Sequence, residues 1–114
     1  MACKGKSGDD FKNLSTDEFE RFISDDQVQL VDVRTVAEYS EGHIPGSINI
    51  NVLDEKFSAN ADELLDPEQP VAVYCKSGRR SRNAAKLLVK KGFKVYNLDK
   101  GFEGWKELGK DIEQ

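Results

Sequence analysis

One stretch, residues 70–88, constrains this chain more than any other. Val71-Ala72-Val73-Tyr74 is a short apolar run of strand-forming residues and reads as a buried strand. Further on, Ala84, Ala85, Leu87 and Leu88 give a helix one apolar face, and Ser81 is placed to cap it. Between strand and helix lies a six-residue loop, Cys75 to Arg80, with one glycine and three cations. A strand–loop–helix turn of this kind aims backbone N–H groups and the positive end of the helix dipole at one point. Cys75 occupies that point. Both effects favour the thiolate, so the sequence marks Cys75 as a nucleophile.

The plainer use of such a cysteine is structural, half-buried at a strand end. Two features argue against it. Lys76, Arg79, Arg80 and Arg82 bring four positive charges close to Cys75 in a chain whose formal net charge is −4. Such a cluster repels itself unless an anion or an acidic partner holds it together. Loops at strand ends are also where α/β folds bind ligands. The negative balance of the whole chain excludes the broad basic footprint of a nucleic-acid binder.

A chain of 114 residues is one domain with room for a real core. Residues 1–12 read as a flexible N-terminal tail, 13–110 as the folded domain and 111–114 as a C-terminal tail. No apolar run approaches the length of a membrane span, which points to the cytoplasm. The two cysteines, Cys3 and Cys75, lie in different settings, and no Cys/His cluster has metal-ligand spacing. No metal and no cofactor is expected. Cys3 reads as an incidental thiol. The alternative, Ala2-Cys3 as a lipoprotein cleavage remnant, would place the protein at a bacterial cell envelope or in the periplasm.

Read in order, Ser15-Thr16-Asp17-Glu18 is a capping box opening a short helix with Phe19, Phe22 and Ile23 on its apolar face. Gln27–Val33 predicts a strand ending in Asp32-Val33-Arg34. Thr35 to Glu38 is a second capping box, and its helix stops at Gly42. Gly42 to Ser47 is dense in turn residues, and Ile48–Val52 alternates as a strand does. His43, the sole histidine, sits in that turn. It is expected to make structural hydrogen bonds, since a loop-formed thiolate needs no base and no acid adjoins His43 to complete a triad.

Asn60–Pro67 predicts a helical turn, and Gly92 closes the helix that follows the cysteine loop. Phe93–Leu98 predicts another strand. Residues 99–105 read as a loop leading to a last short helix through Leu108. Strands alternating with helices imply an α/β fold with a mainly parallel central sheet of about five strands and helices on both faces. The carboxyl ends of parallel strands share one edge, so Asp32 and Arg34 are expected to meet the Cys75 loop there. Asp32 then either pairs with a loop arginine or caps the helix after it.

These blocks resemble the rhodanese-like sulfurtransferase family in its small single-domain form. The resemblance rests on Leu30-Val31-Asp32-Val33-Arg34 with Glu38-Tyr39, on Gly42 to Ile50, on Val73 to Ser81, and on Leu98 to Trp105. It spans residues 14–109. Lys100 departs from it, where the family more often has a second glycine before Gly101. The resemblance implies that Cys75 cycles between thiolate and persulfide. It would take a sulfane sulfur from a donor such as thiosulfate and yield it to cyanide, a thiol or a protein thiol. Lys76, Ser77, Gly78, Arg79 and Arg80 would form the donor cradle, with Asp32, Arg34 and Ser81 in support and Gly78 supplying a conformation larger residues resist. A thioredoxin-like or other sulfur-acceptor protein is an implied partner, and a monomer is expected.

Two other readings use the same scaffold. A phosphatase or arsenate reductase resembles a cysteine, five residues, then arginine. Here the sixth residue after Cys75 is Ser81, with Arg80 before it and Arg82 after it. The loop is one residue short, and a smaller ring of N–H groups suits sulfur better than a tetrahedral oxyanion. A non-catalytic interaction module usually lacks the cysteine that this chain keeps.

Overall fold

The computed structural model describes residues 10–114. In chain order the elements are β1 (Lys12–Leu14), α1 (Thr16–Ile23), β2 (Gln29–Asp32), α2 (Val36–Glu41), β3 (Ile48–Asn49), α3 (Phe57–Leu64), β4 (Val71–Tyr74), α4 (Arg79–Lys90), β5 (Val95–Leu98) and α5 (Gly101–Glu107). The sheet runs β1-β5-β4-β2-β3, and each neighbouring pair is parallel. This is the α/β architecture that the alternation of strands and helices implies.

β4 lies at the centre and all four of its residues are buried, because it has a strand on each edge and helices over both faces. Side chains that alternate along the strands divide the core into two layers. Val31, Val71 and Val73 point to the side of α3 and α4, where they join Phe57, Ala61, Ala85 and Leu88. Leu30, Ala72 and Tyr74 point the other way, towards Phe19 of α1 and Phe102 and Trp105 of α5. Phe19 is wholly buried, a burial that stabilises by about 1.5–3 kcal/mol.

Both capping boxes form. Ser15 Oγ accepts the Glu18 N–H at 3.2 Å while Glu18 Oε1 accepts the Ser15 N–H at 2.9 Å. Thr35 and Glu38 repeat the exchange at 3.2 and 3.0 Å. Other expectations shift. Ser81 does not cap the helix after the cysteine loop. That helix, α4, begins at Arg79 with Gly78 before it, and Ser81 lies wholly buried inside the first turn. α3 starts at Phe57 and ends before Pro67, because Phe57, Ala61 and Leu65 make one buried stripe. Residues 101–107 are helix rather than loop.

The ends of the chain also differ from their sequence-based reading. Lys12, assigned to the N-terminal tail, opens β1, which pairs with β5. The tail residues before Asp10, Cys3 among them, lie outside the described residues. Residues 111–114 are exposed but do not hang free as a tail. His43 and Glu113 exchange two backbone hydrogen bonds of 2.8 Å, Trp105 Nε1 donates to the Asp111 carbonyl at 2.7 Å, and Gln114 Nε2 donates to that of Glu41 at 2.9 Å. These bonds fasten the end of the chain over the turn after α2. Among the described residues, no helix is long and apolar enough to cross a membrane.

Candidate active site

Cys75 follows the last residue of β4 and is 1 % exposed. Its Sγ accepts two backbone hydrogen bonds, from Gly78 at 3.1 Å and from Ser81 at 3.3 Å. Both donors belong to the turn that starts α4, so the positive end of a twelve-residue helix faces the sulfur. The arrangement suits a sulfur atom that holds negative charge. Gly78 makes the turn possible. Its φ is +99°, and a Cβ there would collide with the Asp99 carbonyl oxygen, so any side chain would force the loop open.

The loop is braced from behind by α5, a contribution that the sequence reading missed. The Phe102 N–H donates to the Cys75 carbonyl at 2.8 Å and the Glu103 N–H to the Lys76 carbonyl at 3.0 Å. With these carbonyls held by α5, the Gly78 and Ser81 N–H groups remain turned to the sulfur. Gly101 lets the two segments approach: its φ is +66°, and a Cβ on it would run into the backbone of Lys76 and Ser77. The visible clue was the pair of glycines at 101 and 104, which mark close approach as readily as they mark a loop.

The loop cations have different fates. Arg80 makes a two-pronged ion pair with Glu38, at 2.8 and 2.9 Å. This pair holds the Glu38 carboxyl well below its usual range, down to about 2, with Arg80 as the main cause and the Thr35 hydrogen bonds adding to it. The same contact raises Arg80. Glu38 was readable only as a helix-capping residue; its second role joins the first turn of α2 to the first turn of α4, next to the cysteine loop. Arg82 donates to the Gly78 carbonyl at 3.0 Å. Lys76 and Arg79 are exposed.

Asp32 takes neither expected role. It neither pairs with a loop arginine nor caps α2, but binds Arg34 two residues on, through Nε and Nη2 at 2.6 to 3.0 Å. Arg34 Nη2 also donates to the Gly42 carbonyl at 2.7 Å, and its guanidinium lies 4.4 Å from the Phe102 ring centroid. Burial pulls the Arg34 guanidinium down and Asp32 more than offsets it, so its pKa is raised. With 4 % of its surface exposed, Arg34 joins the β2 loop to the turn after α2 and to α5. The sequence places Arg34 at the correct edge: it and Lys76 line one pocket of about 390 Å³ together with Glu41, Phe102, Glu103 and Lys106.

Tyr74 and His43 complete the support. The buried Tyr74 hydroxyl accepts the Ile44 N–H at 3.0 Å and lies 3.2 Å from Ser47 Oγ, and burial pushes its pKa far above the usual phenol value. His43 Nδ1 is 2.9 Å from the Tyr39 carbonyl and its ring stacks on Tyr39 at 3.8 Å. Its Nε2 lies 3.5 Å from Glu113 Oε1, so both ring nitrogens face groups of the turn and of the chain's end. Ser81 supports the site through its backbone, while its buried hydroxyl makes no hydrogen bond.

Comparison with known proteins agrees with this geometry. A profile of the rhodanese-like domain matches residues 15–108. The chain is 37 % identical to the thiosulfate sulfurtransferase GlpE of Shewanella oneidensis over 98 residues, covering 85 % of this chain and 94 % of that protein. It is 35 % identical to the putative sulfurtransferase YtwF of Bacillus subtilis, over 84 % of this chain and 91 % of that one. Among solved structures, a rhodanese-related protein from Thermoplasma volcanium superposes with a TM-score of 0.79 at 25 % identity, covering 90 % of this chain and 98 % of the other.

Proposed function

The chain belongs to the rhodanese-like domain family, and from that premise we propose that it is a sulfurtransferase carrying a sulfane sulfur as a persulfide on Cys75. In the first half-reaction the Cys75 thiolate attacks the outer sulfur of a donor such as thiosulfate. A bond forms between the two sulfurs, the donor's S–S bond breaks, and its electron pair leaves on sulfite. In the second, cyanide, a thiol or a protein thiol takes the outer sulfur, and the electron pair of the Cys75 S–S bond returns to Sγ. All the redox change lies within the S–S bonds, so neither half calls for a cofactor.

The observation that carries this reading is the pair of N–H groups, from Gly78 and Ser81, aimed at the Cys75 sulfur. Fixed donors of this kind stabilise negative charge without reorganising during reaction, as an oxyanion hole does. The exposed Lys76 and Arg79 draw in a dianionic donor. The arginines speak for sulfur rather than phosphate transfer. Arg80 is engaged by Glu38 and Arg82 by the Gly78 carbonyl, so each guanidinium already has a protein partner to give up before it could clamp a tetrahedral oxyanion. The names of the GlpE relatives support thiosulfate as the donor.

Replacing the nucleophile tests the reading. Cys75→Ser keeps the shape but offers a hydroxyl that stays protonated and holds no persulfide. Thiosulfate:cyanide turnover is expected to vanish while the circular dichroism spectrum is unchanged. Survival of as much as about a tenth of the turnover, in a step where a lost nucleophile costs several orders of magnitude, would mean that Cys75 is not the carrier.

A further inference from the structure

Among the described residues, two buried side-chain atoms have no hydrogen-bond partner: Ser81 Oγ and Asn97 Oδ1. Both residues are wholly buried, and a polar atom left in that state costs stability unless it has a use. They lie on one face of the sheet. Asn97 is in register with Val73 of β4, and Cys75 follows Val73 by two residues and packs in the same core layer. Ser81 precedes Ala84, Ala85 and Leu88 on the stripe by which α4 covers that face. Its N–H already donates to Cys75 Sγ at 3.3 Å. Asn97 Nδ2 donates to Asn13 Oδ1 on β1 at 2.9 Å, which leaves Oδ1 as the unused end of the amide.

We propose that the Ser81 hydroxyl is a third, movable hydrogen-bond donor to the Cys75 sulfur and that Asn97 is its alternate acceptor. The inference deepens the sulfurtransferase reading by adding one donor and one positioning residue to its site. Oγ is three bonds from a nitrogen that sits against the sulfur, so turning about Cα–Cβ carries the hydroxyl between Sγ and the Asn97 side. In the structure it is committed to neither. The charge on sulfur decides its direction. On the thiolate the proton points to Sγ, because a bond to an ion outweighs one to an amide carbonyl. When Sγ is neutral, as a thiol or within the S–S bond of a persulfide, the proton turns to Asn97 Oδ1. No proton leaves the hydroxyl. In the second half-reaction the electron pair of the S–S bond returns to Sγ, and the hydroxyl meets that charge beside the fixed N–H groups of Gly78 and Ser81.

The test reads the sulfur without any transfer. Iodoacetamide alkylation of Cys75 is followed by mass on its own peptide across a range of pH, and the pH of half-maximal rate is compared between variants. Ser81→Ala removes a donor to the anion and is expected to raise that midpoint by about one unit. Asn97→Val removes a bond made only while the sulfur is neutral, so it is expected to lower the midpoint by about half a unit. Asn13→Ala breaks the bond to Asn97 from the exposed strand and is expected to leave the midpoint in place. The charged groups on the elements around Cys75 are the loop's own cations, Glu38 of α2, the Asp32–Arg34 pair after β2, Asp99 after β5 and Glu103 of α5. They are the same in all these proteins. A merely structural loss loosens the loop from either site and moves both midpoints the same way.

An unchanged midpoint in Ser81→Ala, or an Asn97→Val midpoint that stays or rises, would overturn the proposal. Asn97→Ala carries the same expectation where valine does not fold. Thiosulfate loading of the same proteins is measured separately. A parent that takes up no sulfur would defeat the sulfurtransferase reading, while opposite shifts in alkylation would still uphold the movable hydroxyl.

Discussion

Glu38 shows how one side chain can serve two structures. Its Oε1 accepts hydrogen bonds from the Thr35 N–H at the start of α2 and from Arg80 in the cysteine loop. The ordinary carboxyl value is 4.5, and the pair with Arg80 lowers it to about 2. The pair therefore contributes its full stability above about pH 4.5 and loses it as the pH falls through about 2. Glu38→Gln should unfold more readily than the parent at neutral pH, with the difference narrowing between those limits; denaturant titrations at several pH values measure it. A difference that stays constant down to pH 2 would mean the ion pair adds nothing. Such a pair, 42 residues apart in sequence, leaves no trace in local pattern, so Glu38 was legible only as a cap. Asp32 failed for the opposite reason: its partner, Arg34, is two residues away, closer than either role considered for it.

At the scale of elements, α5 holds the cysteine loop by two backbone hydrogen bonds and by the absence of a side chain at Gly101. Gly101→Ala pushes a methyl group into the Lys76 backbone and should cut turnover by about tenfold or more, since an ångström of misplacement is costly in catalysis. Gly92→Ala is the matched control: φ there is +98°, yet nothing lies within 4 Å of the added carbon. It should lower stability and leave turnover near that of the parent. If the two variants lose turnover equally, α5 has no special hold on the loop. The sequence shows α1, α2, β2, β4 and β5 because caps and apolar runs are local. It hides β1, whose Lys12 and Asn13 are polar and exposed on an edge strand, and it hides α5, whose glycines resemble loop residues until the backbone they touch is known.

Over the whole molecule, the parallel sheet gathers the chemistry at one edge. The loop after β2 supplies Arg34, α2 supplies Glu38, the loop after β4 supplies Cys75, and α5 braces these loops through Phe102 and Glu103. That Asp32, Arg34 and the Cys75 loop come to a common edge was legible from strand order alone, whereas the bonds joining them were not. The central claim is that Cys75 alone stores the transferred sulfur. The mass of the intact protein after thiosulfate treatment and desalting tests it most directly. The parent should gain one sulfur, about 32 Da, removable by cyanide, and Cys75→Ser should gain none. A parent of unchanged mass, or a serine variant that gains the same sulfur, would contradict the account.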